Sequence, residues 1–219
     1  MKRATLIQAG FILLATIAVY AFVSMAREAE TRRACVPVCA MHPAYAGRNR
    51  LAPDFELPDV DGNRVRLSQF RGKTVVLNFW TTTCQPCLEE MPSLADFAKI
   101  VHQRKDVVVL TVSTDATKDI ATSALQTLLH EPKTPFAVLL DPDSTVVRDK
   151  FGTNMFPETW IIDPKGVIRA RFDGARDWSN AIVLDLIDSF ARPATCGIEF
   201  DSGRASGPEA AICEESGAS

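Results

Sequence analysis

Residues 74–92, TVVLNFWTTTCQPCLEEMP, run an apolar segment into two cysteines separated by Gln85 and Pro86. Val75, Val76, Leu77, Phe79 and Trp80 have the β-branched and aromatic make-up of a buried strand. Past the cysteines, Leu88, Met91, Leu94 and Phe97 recur at three- and four-residue spacing, which predicts a helix to about Arg104. Cys84 therefore falls where a strand ends and a helix begins. Free backbone N–H groups and the positive end of the helix dipole favour an anion there, which for cysteine is the thiolate. Such a place lowers a thiol pKa from about 8.5 into the range of roughly 3.5 to 7.5.

Outward from this stretch the elements alternate. Val107 to Val112 predicts a second buried strand, stopping at Ser113-Thr114-Asp115, and Ile120 to His130 a helix closed by Glu131-Pro132. Phe136 to Leu140 reads as a third core strand, followed by a short helix near Ser144 to Phe151. Thr159 to Asp163 and Val167 to Phe172 form a hairpin around Pro164-Lys165-Gly166, and Trp178 to Phe190 has the one-sided apolar pattern of a covering helix. On the other flank, FELPDVDGNRVRL reads as two short strands about a turn at Asp61-Gly62-Asn63. The order implies an α/β fold: a central mixed sheet, helices on both faces and an N-terminal β-hairpin extension.

With 219 residues, 47% hydrophobic and 23% charged, the chain can build one globular domain plus appendages. A net charge of −3 and a pI near 5.7 exclude nucleic acid as an expected partner. Four regions follow: 1–26, 27–50, 51–195 and 196–219. The run from Ala4 to Ala26 has no charge and is long enough to cross a ~30 Å hydrocarbon layer, so 1–26 is a membrane anchor or an uncleaved signal. Cleavage after Ser24-Met25-Ala26 is the alternative. Residues 27–50 carry charge, proline and two cysteines without a sustained period and read as a tether. Residues 51–195 are the domain, and 196–219, rich in Gly, Ser, Ala and Glu, a flexible Cys-containing tail. Lys2 and Arg3 on one side of the apolar run and Arg27, Arg32 and Arg33 on the other leave orientation undecided. Six cysteines, four of them outside the CQPC motif, favour an oxidising compartment.

A C-x-x-C pair is half a zinc site or a redox dithiol. Zinc needs a second close pair, and neither Cys196 nor Cys213 has a cysteine neighbour. The strand before the motif and the helix after it favour redox chemistry at Cys84 and Cys87. No cofactor beyond the dithiol is then required.

Three separated motifs carry a resemblance: the opening APDFELPDVDG with its later Leu67, Phe70 and Gly72-Lys73, the run FWTTTCQPCLEEMP, and FPETWIIDPKG. Residues 51–192 resemble the membrane-anchored, extracytoplasmic thioredoxin-like proteins of the TlpA/ResA type. The resemblance implies a thioredoxin-like fold and a thiol:disulfide oxidoreductase, with Cys84 the exposed attacking cysteine and Cys87 the buried resolving one. It further implies, through the match of Glu90-Met91-Pro92 as a unit, that Glu90 moves the proton of Cys87; the alternative is an ordinary surface acid in the first turn, favoured by the helix dipole. Pro157 matches the family's cis-proline beside the dithiol, and Phe156, Pro157 and Trp80 become the expected client contacts. Two positions depart from relatives. Thr83 stands where many have Trp, reducing the apolar surface beside Cys84, and Asn78 stands where cytoplasmic thioredoxins bury an aspartate, leaving Glu90 the proton acceptor. By the same resemblance, the location is the cell membrane with the domain in the periplasm or otherwise outside the cytoplasm. The expected partners are disulfide-containing exported proteins, as in cytochrome c maturation or oxidase copper-site assembly, a membrane electron donor and the membrane itself.

Cys35, Cys39, Cys196 and Cys213 flank the domain and can form two structural disulfides in three connectivities. A bond from Cys35 or Cys39 to Cys196 closes a loop of roughly 160 residues, about 5 kcal/mol in the chain-entropy model. Metal is the competing reading, since Cys35, Cys39, Met41 and His42 make a soft set suited to Cu(I). Two rival functions stand beside the oxidoreductase. A peroxiredoxin-like peroxidase shares the APDFELPD opening, and a copper chaperone of the Sco type shares the thioredoxin-like fold but carries C-x-x-x-C on its active loop.

Overall fold

The computed structural model describes residues 2–40, 50–191, 196, 198–201 and 204–215. They form two compact units, one of residues 41–193 and one of residues 1–40 with 194–219.

The second of these begins with α1 (Lys2–Ala40), a single 39-residue helix. At 1.5 Å per residue it is roughly 60 Å long, twice a hydrocarbon layer. Its apolar stretch is long enough to cross a membrane, and none of it is buried by protein. The segment read as a tether is therefore helical up to Ala40, where charge and proline had masked the pattern.

The larger unit opens with β1 (Glu56–Pro58) and β2 (Arg64–Arg66), an antiparallel pair in which Leu57 faces Val65. Then follow β3 (Thr74–Trp80), α2 (Gln85–His102), β4 (Val107–Ser113), α3 (Lys118–Leu129) and β5 (Ala137–Leu140). A short π-helical segment, Thr145–Lys150, leads to β6 (Glu158–Ile162), β7 (Ile168–Asp173) and α4 (Ala181–Ala191).

Strand order is β5-β4-β3-β6-β7, with β3, β4 and β5 parallel and β6 and β7 antiparallel. This is a mixed α/β sheet centred on β3, every residue of which is buried. Alternation along β3 separates two faces. Val75, Leu77 and Phe79 turn toward a core with Phe55, Leu57, Val65, Val146, Val147, Phe151 and Trp160, roofed by the hairpin and the π-helical segment. Asn78 turns the other way, toward α2. The exposed edges are guarded: Val60 N–H donates to Val138 O on β5 at 3.1 Å, and Ile168 N–H of β7 to Arg50 O at 2.9 Å.

The C-terminal segment folds onto α1 within its own unit. It contains β8 (Glu199–Asp201) paired with β9 (Arg204–Ser206), and a one-turn α5 (Ala211–Glu215). Disulfides join Cys35 to Cys196 and Cys39 to Cys213, with Cys35, Cys39 and Cys213 buried beside Ile198. Arg32 adds an ion pair to Glu215 at 2.7 Å. The expected flexible tail is thus a folded segment in its described part, because cross-links supply the order that its polar composition cannot.

Candidate active site

Cys84 is the N-cap of α2, extended at φ −95° and ψ 100°. Its carbonyl accepts from Leu88 N–H and its Sγ from Cys87 N–H, both at 3.2 Å. Pro86 sits in the first turn, where a missing N–H costs nothing. Cys84 is half-buried and flanked by exposed Thr83, Gln85 and Pro86, whereas Cys87 is 0% exposed. The two are bonded to each other, so the site is in its oxidised form. Once that bond is reduced, the N–H of Cys87 and the helix terminus favour negative charge on Cys84 Sγ.

The loop into Cys84 is held by Asp115, whose place in the sequence marks only the end of a strand. This buried carboxylate accepts from the hydroxyls of Thr81 (2.9 Å), Thr82 (2.7 Å) and Ser113 (2.7 Å), and from Thr82 N–H at 3.1 Å. It binds the ends of β3 and β4 to the turn preceding the dithiol.

Glu90, three residues past Cys87 on α2, is 3% exposed and not a surface acid. Side chains at that spacing are neighbours on a helix. Its Oε1 accepts from Asn78 Nδ2 at 2.8 Å, and its Oε2 from Trp178 Nε1 at 3.1 Å and Arg176 N–H at 3.2 Å. Burial pushes the Glu90 carboxyl above the ordinary carboxylate range, against the pull of these donors and the Arg176 charge. Burial also lowers the Arg176 guanidinium, which stacks 4.4 Å from the Phe172 ring centroid. Sequence spacing pointed to Glu90, but nothing in the chain signalled that Arg176 and Trp178, more than 80 residues away, would complete its shell.

The Phe156-Pro157 bond is cis. Because Glu158 pairs with Phe79, Pro157 follows the register to the end of β3 from which the Cys84 loop departs. Phe156 is half-buried and packs on the core, and Pro157 is buried, its carbonyl accepting from Gly174 N–H at 2.9 Å. The expected client contact at Trp80 is corrected: this indole is 0% exposed, because β3 lies at the centre of the sheet with both faces covered. The exposed apolar side chain of the cis-proline loop is instead Met155, at 78%. A further buried acid, Glu158, accepts the Thr153 hydroxyl and is likewise raised by burial.

Cys35 and Cys39 are occupied by disulfides, so they do not offer the two thiolates that the copper reading needs. Met41 and His42, the other members of that set, lie outside the described residues. Among the described residues no group of three or more His, Cys, Asp and Glu side chains is placed to hold a metal ion.

The model of the AhpC/TSA family matches residues 49–171, more than half the chain, a span that includes Cys84, Cys87, Glu90, Asp115 and Pro157 but not Arg176 or Trp178. The chain belongs to the AhpC/TSA family. Within it, this family member is 32% identical over 143 residues to the thiol-disulfide oxidoreductase ResA of Bacillus subtilis, covering 61% of this chain and 76% of that one. It is 36% identical over 144 residues to ResA of Oceanobacillus iheyensis, covering 64% and 68%. Among solved structures it is similar to a DsbE-type thiol:disulfide interchange protein of Chlorobium tepidum (TM-score 0.56, 26% identity, 65% of this chain and 97% of that one). It is also similar to a thioredoxin of Neisseria meningitidis (TM-score 0.54, 30% identity, 65% and 91%). The AhpC/TSA family member is accordingly a thioredoxin-like thiol–disulfide oxidoreductase of the ResA type, which agrees with a C-x-x-C disulfide at the start of a helix.

Proposed function

We propose that this protein reduces disulfides of exported proteins from the outer side of a membrane that α1 crosses. The observation that carries the reading is the asymmetry of the dithiol: Cys84 half-exposed at a helix N-terminus, Cys87 fully buried behind it. The Cys84 thiolate attacks one sulfur of a client disulfide, that S–S bond breaks, and the client's other sulfur leaves as a thiolate. Cys87 passes its proton to the Glu90 carboxylate and attacks Cys84 Sγ, releasing the second client sulfur. The client gains two electrons, and the product is the Cys84–Cys87 disulfide present in the structure. A membrane electron donor returns the dithiol to its reduced form.

Support for the location comes from α1, long and apolar enough to span a membrane, and from the two disulfides, which are rare in a reducing cytosol. Counting from Ala26, Cys35 lies roughly 14 Å further along the helix, clear of the apolar run. The TlpA/ResA resemblance makes apocytochromes c and copper-site assembly factors the first clients to test.

In the full chain, Cys87→Ser is expected to accumulate a mixed disulfide with a client protein through Cys84, and Cys84→Ser to accumulate none and lose reduction. Wild-type reduction by Cys84→Ser overturns the reading. A thiol-redox titration reads the direction: a potential near −270 mV fits a reductant, whereas one near −120 mV makes the protein an oxidant.

A further inference from the structure

Glu90 has to take a proton and give it back, yet the N–H groups that hold it are all donors. Oε2 is held by the Trp178 indole N–H and the Arg176 backbone N–H, neither of which can accept. The proton of a neutral Glu90 therefore belongs on Oε1. The partner of Oε1 is Asn78 Nδ2, again a donor, at 2.8 Å. The second N–H of that amide goes to Thr159 Oγ1 at 2.9 Å. Asn78 Oδ1, on a side chain with no exposure, has no hydrogen-bond partner. An amide with both donors engaged and its carbonyl idle suits a charged Glu90 and opposes a neutral one.

We propose that the Asn78 amide is a two-position rotor that turns over when Glu90 is protonated, making Asn78 a positioning residue for proton transfer between Cys87 and Glu90. The inference rests on the proton role proposed for Glu90. A half-turn of the amide puts Oδ1 where Nδ2 stood. The new Oε1–H donates to Oδ1, and the Thr159 hydroxyl, able to donate or accept, turns to donate as well. The NH2 group takes the unpartnered place. One end of the amide is idle in either orientation, so β3 does not commit Glu90 to one protonation state. In the step itself the Cys87 S–H bond breaks and the Oε1–H bond forms, leaving a thiolate and a neutral carboxyl. No other atom or electron is exchanged. Two charges act on Glu90 in opposite senses: Arg176, from the loop before α4, favours the carboxylate, and a thiolate formed at Cys87, three residues back on α2, would favour the neutral acid.

The test uses the full chain in detergent micelles with nitrogen-labelled asparagine, the Asn78 signal being the one lost in Asn78→Thr. Above the Glu90 transition the Nδ2 protons are expected to show proximity to Thr159. As Glu90 protonates, that contact is expected to disappear and the amide shifts to move with the same midpoint. In Glu90→Gln neither change is expected. Single-turnover resolution supplies a second readout. Asn78→Thr, whose hydroxyl both donates and accepts, should stay within about twofold of wild type. Asn78→Val should move the acid limb of the rate profile about one pH unit alkaline, so that rates on that limb fall about tenfold, because the carboxylate loses a charge-assisted bond. A contact with Thr159 that persists through the Glu90 transition overturns the rotor and leaves the role of Glu90 intact. A Glu90→Gln profile identical to wild type overturns both, while trapping at Cys84 still reads disulfide exchange by itself.

Discussion

Glu90 and Glu158 make stability depend on pH in a sense opposite to most carboxylates. Burial raises both in the folded protein, whereas in the unfolded chain they return to about 4.3. Between those values the folded state binds more protons than the unfolded one, so their contribution is full below about pH 4.3 and is lost as pH rises through the raised values. We expect the stability of Glu90→Gln relative to wild type, from urea unfolding between pH 4 and 8, to grow with rising pH, and Glu158→Gln to do the same. A difference that stays flat or shrinks would contradict buried, raised carboxyls. Asp115 acts in another way, through three hydrogen-bond donors on the Cys84 loop and a fourth, the Ser113 hydroxyl, at the end of β4. Asp115→Ala strands those donors and should cost about 2–4 kcal/mol in urea unfolding, with slower attack by Cys84. Asp115→Asn, which keeps an acceptor oxygen, should lose less.

At the level of elements, β3 and α2 were open to reading because their signals are local. A β-branched and aromatic run makes one, and a three-and-four spacing with a cysteine at the cap makes the other. Elements defined by distant partners were not. α1 extends past Arg27 although charges and Pro37 interrupt its apolar pattern, and the C-terminal segment acquires its hairpin only with cysteines that lie 161 and 174 positions away. Asp115 looked like a strand stop for the same reason, since two of its three hydroxyl partners, Thr81 and Thr82, follow another strand more than 30 positions away. One boundary yields a prediction. α3 ends at His130, which adopts φ 55°, the left-handed conformation that a Cβ disfavours. His130→Gly should stabilise the domain by about 0.5–1 kcal/mol in thermal or urea unfolding, and a loss of stability would show that the imidazole makes a contact worth more than the backbone strain.

For the whole molecule, the two cross-links have a topological meaning. The chain leaves α1 after Cys39, builds the entire thioredoxin-like unit, and is bonded back to α1 at Cys196 and Cys213. The sheet is therefore carried on a closed covalent ring rather than on the end of an open string. A protease that cuts one peptide bond anywhere between residues 50 and 190 opens the ring but sets neither fragment free. On a gel without reductant, a singly nicked protein should migrate as one species near its 24.0 kDa mass, separating into two bands only when thiol is added. In Cys35→Ser/Cys39→Ser the same cut should shed the C-terminal fragment once the nicked protein is denatured, without any reductant. A molecule that spends its working life exchanging disulfides would thus hold itself to its helix with two that its own dithiol must leave alone.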